Sequence, residues 1–408
     1  MNHSRRRLLA ALAGSGAVGA AGCLDRFGGS GGSAEPAGSV QADLGVACAD
    51  TDGTVELSGG RRPAEIETAQ GTPSTSYDDG EIPLRDETLH LGHERTAFVD
   101  GDQSGGVGHD GIPSVDEPRF APAAAVSMPA CERVFGVSID GDVRAYPQRI
   151  LVSHEIANDV VGGEPVAVTY CPLTGTAQGF YRGGTGFGVS GRLVNSNLIM
   201  WDRTFDVRWP QVAATATEAR NRGDRGGGEE LVGRSLREFR LVWTTWERWS
   251  DRHPDTLVMT EKTGSARDYN RDPYGSYTPV SGHYAVGEPR SPSFPLLADP
   301  ELDGKRVVIG ARTSEGAIAF DKRTLLEESV LTGSVGSQSV VAVADEGLAT
   351  GYVYADPGGV DVTPTAEGYS VDGDIAAAGE LPLERIVAFD AMWFAWNGFY
   401  PDSERVGL

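Results

Sequence analysis

The residues able to do chemistry gather in one stretch: Ser153-His154-Glu155-Ile156-Ala157-Asn158-Asp159, then Gly162-Gly163, then Thr169-Tyr170-Cys171-Pro172-Leu173-Thr174. An imidazole and a thiol brought together offer two chemistries. A neighbouring imidazolium lowers a thiol's pKa and yields the nucleophilic thiolate. The same pair can instead hold a soft transition metal, copper or iron. In the first reading Cys171 is the catalytic or redox sulfur, His154 its base or charge partner, and Glu155 or Asp159 orients the imidazole. In the second, Cys171 and His154 are metal ligands with one more ligand unassigned. A third reading has no chemistry: Cys171 is a buried apolar residue, His154 a structural hydrogen-bonder, and the protein a binding or structural surface module.

What must position these side chains is mostly β-structure. Gly162-Gly163 and Asp140-Gly141 are two-residue turns of the kind that needs positive φ at both central positions. The first joins 154–161 to 164–170, and the second joins 134–139 to 142–146. With a tight turn at Gly162-Gly163, residue 154 falls directly opposite residue 171, where Cβ atoms lie about 4.5–5.5 Å apart. The register is open, since Pro165 removes a ladder donor and residues 154–159 also read as a helical turn.

The scaffold repeats. Trp246, Trp249, Pro254, Asp255 and Thr256 recur in spacing as Trp393, Trp396, Pro401, Asp402 and Ser403. Val134-Phe135-Gly136-Val137 matches Val307-Val308-Ile309-Gly310, and Val166-Ala167-Val168 matches Val341-Ala342-Val343. Blocks in the same order twice point to internal duplication. The fold class is therefore mainly β with short helices (α+β), built from duplicated antiparallel-sheet units. The first unit is 87–300, with the candidate site, and the second, degenerate unit is 301–408. His154 aligns with Glu328, and Cys171 with Asp345 or Glu346, so one copy alone carries the pair. Each Trp pair reads as a short helix laying aromatic rings on a sheet, core and not cofactor stack.

Other polar candidates are secondary. Asn195, Asn197, Asp202 and Arg203, with Gln211, could line a substrate pocket beside Cys171, or serve as turn and ion-pair residues. His90, His93 and His109 lie in loop-like sequence as metal ligands or solvated side chains. Arg267, Tyr269, Asp272 and Tyr274 read as a surface loop. The phosphate-binding loop, the dinucleotide glycine pattern, H-E-x-x-H and G-x-S-x-G are all missing, which argues against those enzyme classes.

Address and environment are written at the N-terminus and in the charge. Ser4-Arg5-Arg6-Arg7-Leu8-Leu9 and the small apolar run after it read as a twin-arginine signal over 1–22, too short to span a bilayer. Ala20-Ala21-Gly22-Cys23 reads as a lipobox, making Cys23 the lipidated residue. Gly28-Gly29-Ser30-Gly31-Gly32-Ser33 opens a flexible acidic spacer over 23–86. The expected place is the extracytoplasmic face of the cell membrane, with the membrane reached through that lipid. There are 35 basic and 58 acidic residues, formal net charge −23, which excludes nucleic-acid binding through a basic surface. Lysine occurs only at Lys262, Lys305 and Lys322, and an acidic, Lys-poor chain is of halophile type. With Cys23 lipidated, an odd number of thiols remains. Cys48 and Cys131 are a candidate disulfide, which leaves Cys171.

The run from His154 to Thr176 resembles the signature of the domain-of-unknown-function family DUF 3179. Further matching stretches are Asp110 to Phe120, Asp142-Val143-Arg144-Ala145-Tyr146-Pro147, Ser190-Gly191-Arg192-Leu193 and Asn197 to Arg203. The resemblance covers about 107–408 and supplies no activity. Many similar sequences read Cys-Pro-Leu-Cys where this chain has Cys171-Pro172-Leu173-Thr174. A dithiol cycle, or a metal site needing both thiolates, cannot run from that motif here.

Overall fold

Turn chemistry sets the edges of the strands that matter. Asp140 and Gly141 adopt φ of 47° and 80°, and Gly162 and Gly163 adopt 59° and 80°. The first turn closes the hairpin Arg133–Ile139/Asp142–Pro147, and the second closes Ile156–Val161/Glu164–Cys171 with Val161 opposite Glu164. A third tight turn at Asn195-Ser196, φ 52° and 62°, joins Phe187–Val194 to Asn197–Asp202. The computed structural model describes residues 73–220, 227–269, 294–302 and 304–408. Over these the chain is mainly β, in several antiparallel sheets with few, short helices.

Three sheets stack in the first half. The middle one runs Glu238–Phe239, Thr176–Tyr181, Glu164–Cys171, Ile156–Val161. On one side Val166, Val168 and Tyr170 pack with Phe135, Val137 and Tyr146 of the first hairpin. On the other, Ala167 and Cys171 pack with Phe187, Leu198, Met200 and Trp209. A strand covered on both faces reads as continuous burial, and every residue of Ile156–Val161 is buried. Side chains two apart share a face, so Cys171 looks towards the sheet of Phe187–Val194 and Asn197–Asp202.

Two sheets of the second half repeat strand orders of the first. Val242–Thr245, Arg133–Ile139, Asp142–Pro147 and Leu257–Met259 lie side by side, the last pair parallel. Ala388–Met392, Val307–Arg312, Ala317–Asp321 and Glu404–Val406 do likewise, again with the last pair parallel. The order Ile156–Val161, Glu164–Cys171, Thr176–Tyr181, Glu238–Phe239 recurs as Val330–Val335, Gln338–Asp345, Thr350–Ala355, Arg385–Ile386. The tryptophan pairs open the short helices Trp246–Arg252 and Trp393–Phe399 and are buried. A Cβ on Gly136 would stand 2.1 Å from the Trp249 ring, and one on Gly310 2.1 Å from the Trp396 ring. Only glycine lets the rings lie so close.

The halves share a core in which Phe98, Val194, Ile199 and Val212 meet Val308, Phe389, Trp393 and Trp396. Cys131 is disulfide-bonded and Cys171 is a free, buried thiol. Cys48, its expected partner, lies outside the described residues, as do Cys23, the signal and most of the spacer. Among the described residues no helix is long and apolar enough to cross a membrane.

Candidate functional site

Cys171 ends its strand with 1% of its surface exposed. Its thiol points to the Ser196 carbonyl at 3.8 Å, and its sulfur accepts the Leu198 backbone N–H at 3.3 Å. An amide relay fixes the next donor. Gln211 Nε2 donates to Thr169 Oγ1 (2.8 Å) and to the Thr176 carbonyl (3.1 Å), which leaves Gln211 Oε1 to accept from Asn197 Nδ2 at 2.9 Å. Asn197 Nδ2 also donates to Thr174 Oγ1 at 3.0 Å. With its oxygen so occupied, the Thr174 hydroxyl is left to turn its proton towards Cys171 Sγ, and the Thr174 backbone N–H donates to the Cys171 carbonyl at 3.3 Å. Thr174, where similar sequences carry a second cysteine, is thus a donor to the first. Burial pushes the thiol up to about 12 and Glu155 adds to that, while the Thr174 and Leu198 donors pull the other way.

Glu155 is the unexpected member. The short helix Gln148–Leu151 is followed by a turn in which the His154 and Glu155 amides both donate to the Leu151 carbonyl. Glu155 then takes φ 59°, a left-handed conformation costing a non-glycine residue about 1 kcal/mol. Its carbonyl accepts from Tyr170 N–H at 2.7 Å, so the backbone stays on the ladder while the side chains leave the strand alternation. Glu155 is 6% exposed. Burial alone pushes its carboxyl up to about 8. Its charge is close enough to act on the Cys171 thiol, and a carboxyl whose pKa desolvation raises is one whose proton transfer is tuned towards neutral pH.

His154 does not meet Cys171. The expected opposition fails because ladder pairing begins at Ile156↔Thr169 and the left-handed Glu155 redirects the residue before it. Both ring nitrogens are engaged elsewhere. Nδ1–H donates to the Pro113 carbonyl at 2.7 Å, so Nε2 accepts from the Tyr269 hydroxyl at 2.6 Å, and Tyr269 accepts from Thr263. That fixes one neutral tautomer, and burial holds the imidazole below its usual pKa. Tyr269, expected on a surface loop, is 3% exposed and belongs to this chain; Asp272 and Tyr274 lie outside the described residues.

Asp159 does not orient the imidazole either. Its carboxylate is clasped by Arg144 Nη1 at 3.0 and 2.8 Å and by the Tyr146 hydroxyl, across the other sheet interface. Of the four expected substrate-binding residues, only Asn197 adjoins Cys171. Asn195 ties the halves, donating to the Ala395 carbonyl and accepting from Leu297 N–H. Asp202 accepts from the Phe205 and Val207 amides and from Trp209 Nε1. Arg203 pairs with Asp116 and Ser114 near the surface. The histidines disperse: the His90 amide bonds Thr313, His93 Nε2 reaches the Gly398 carbonyl, and His109 lies 3.5 Å from Asp206. Among the described residues no three His, Cys, Asp or Glu side chains gather as a metal site. The sequence carried one signal for the Thr174 role, its place in C-P-L-T, and none for the backbone turn at Glu155.

The family model described as "Protein of unknown function (DUF3179)" matches residues 109–403. No curated protein and no solved structure matches the chain.

Proposed function

Because the chain belongs to the DUF3179 family, whose description assigns no activity, we propose a function from its own site: thiol chemistry at Cys171 with Glu155 as the base. As the sulfur bonds to an electrophilic carbon of the substrate, the S–H proton passes to the Glu155 carboxylate, and the bond from that carbon to its leaving group breaks, the pair departing with the group, which takes the proton back from Glu155. The Thr174 hydroxyl and the Leu198 amide hold the charge developing on sulfur. His154, locked by Pro113 and Tyr269, is a positioning residue that sets the turn bearing Glu155. The carrying observation is Glu155: a buried side chain on a left-handed residue, its carboxyl pushed up to about 8.

Alkylation of the full chain by a small neutral electrophile, with Cys171→Ser subtracted, tests this. The wild-type rate should rise through about pH 8 as Glu155 ionises. Glu155→Gln should lose that limb and react about 10²-fold more slowly above it. Superimposable profiles for the two proteins would remove Glu155 as base.

The same reading includes location and ancestry. We take the chain to be exported by a twin-arginine signal, lipid-anchored at Cys23 on the outer face of the cell membrane, and adapted to high salt. We take its halves to be copies of one unit. The repeated strand order, the paired Gly136/Trp249 and Gly310/Trp396 contacts, and left-handed Glu155 and Ser329 (φ 66°) before equivalent strands support duplication. On that alignment Cys171 corresponds to Asp345, each pairing with a threonine, Thr176 or Thr350. Only the first copy carries the site.

A further inference from the structure

Away from Cys171, a lysine and an aspartate are buried in contact. Lys322, the first residue of the helix Lys322–Glu328, is 4% exposed, and Asp390, on the strand Ala388–Met392, is 2% exposed. Strand Val307–Arg312 lies between Ala388–Met392 and the strand that leads into the helix, Ala317–Asp321. Across it, Lys322 Nζ donates to Asp390 Oδ1 at 2.5 Å, the one hydrogen bond the ammonium makes among the described residues. The Trp243 ring of the first half lies 5.9 Å from Nζ. Asp390 Oδ2 is buried and accepts no hydrogen bond, with Arg240 of the first half 3.5 Å away. Arg240 is itself anchored elsewhere, donating to the Ala388 carbonyl, Thr350 Oγ1 and the Gly351 carbonyl.

An ion pair so placed is poorly served. The ammonium has three N–H groups and one acceptor, a carboxylate oxygen lacks a donor, and both charges are out of water. Joined as an amide, the same atoms carry no charge and leave one N–H and one C=O to satisfy. The contact to Oδ1 puts the carboxyl carbon, one bond further, near the separation of about 3–3.5 Å that reacting atoms adopt. Burial holds Lys322 below its ordinary pKa; Asp390 opposes that, and the charges of Arg240 and Arg133 add to it.

We infer that Lys322 and Asp390 condense into an intramolecular amide that staples Ala388–Met392 to the end of Ala317–Asp321. One ammonium proton passes to Oδ1, and the freed lone pair of Nζ bonds to Cγ. The charge thrown onto Oδ2 faces Arg240. A second proton passes from Nζ to Oδ1 as the Cγ–Oδ1 bond breaks, its electron pair leaving with the oxygen as water, and Oδ2 becomes the amide carbonyl. The ion pair supplies every atom and proton. On the spacing of the paired tryptophans and glycines, Lys322 and Asp390 correspond to Gln148 and Trp243, which meet by a hydrogen bond at 3.1 Å. The fold brings these positions together in both halves, and only the second holds a pair that can condense. The bond is independent of the chemistry at Cys171.

Peptide mapping of the folded full chain, reduced and then digested with trypsin, tests this. The expected product is a branched peptide joining 313–323 to 386–405, one water lighter than the two together, because the amide blocks cleavage after Lys322. Protein held in urea from synthesis onwards should give only the linear peptides, since the reaction needs the folded contact. Lys322→Arg, which keeps the charge without the amine, should give no branch; the wild-type map carries the test if that variant does not fold. Folded wild-type protein that yields only a peptide ending at Lys322 and a linear 386–405, or a branch that persists in Lys322→Arg, would overturn the inference.

Discussion

At the scale of the residue, the account turns on two side chains, Glu155 and Cys171, whose ionisation burial disfavours. Glu155 rises from 4.5 to about 8 on folding. Its unfolded form is ionised above pH 4.5 while its folded form still holds the proton, so stability is full below 4.5 and is lost as pH rises towards 8. Denaturant unfolding at pH 5 and pH 9 should show wild type losing a few kcal/mol that Glu155→Gln keeps. Equal losses in the two proteins would mean Glu155 is not held protonated. Thr174→Val removes the hydroxyl donor from Cys171 and an acceptor from Asn197, so the thiol should titrate higher still. Stability should fall by about 1–3 kcal/mol. A thiol titration curve unchanged in that variant would show that the hydroxyl does not serve the sulfur.

At the scale of the element, much was legible. Asp140-Gly141 and Gly162-Gly163 place two hairpins because positive φ at consecutive positions is a local demand that few dipeptides meet. The Trp-x-x-Trp pairs gave helices laid on a sheet because a 3.6-residue period puts both rings on one side. What the sequence did not carry was the end of the ladder. Nothing in His154-Glu155 announces a left-handed residue, and from that turn His154 bonds Pro113 and Tyr269 while the charge of Glu155 acts on Cys171. Asp159 was misplaced for the related reason that a strand buried on both faces gives no alternation from which to choose a side. Gly136→Ala and Gly310→Ala should each cost about 3 kcal/mol, because the new methyl meets an indole held by its own hydrogen bond, from Trp249 to Thr256 and from Trp396 to Ser403. Urea melts of the two variants measure it, and a near-neutral effect at either site would break the parallel between the halves.

At the scale of the whole molecule, the halves are joined by charge as well as by apolar packing. Arg312 of the second half, 2% exposed, donates Nη2 to Gln178 at 3.1 Å and to Glu238 at 2.9 Å in the first. Gln178 in turn donates to the backbone of Gln211, the head of the relay that ends at Thr174. Arg312→Met leaves buried Glu238 only Arg85, at 3.8 Å, and should destabilise the protein by about 3 kcal/mol; no loss in chemical denaturation would mean that Arg85 suffices for Glu238. The proposed anchoring has its own check: Cys23→Ala should move the protein from membrane to soluble fraction, and continued membrane retention would contradict it.

The measurement that bears most directly on the site is an infrared titration of the Glu155 carboxyl, read as the protonated-carboxyl band that Glu155→Gln removes. The account predicts a band present at neutral pH that disappears with a midpoint near 8. A band that titrates in the ordinary carboxylate range, or one untouched by Glu155→Gln, would contradict it.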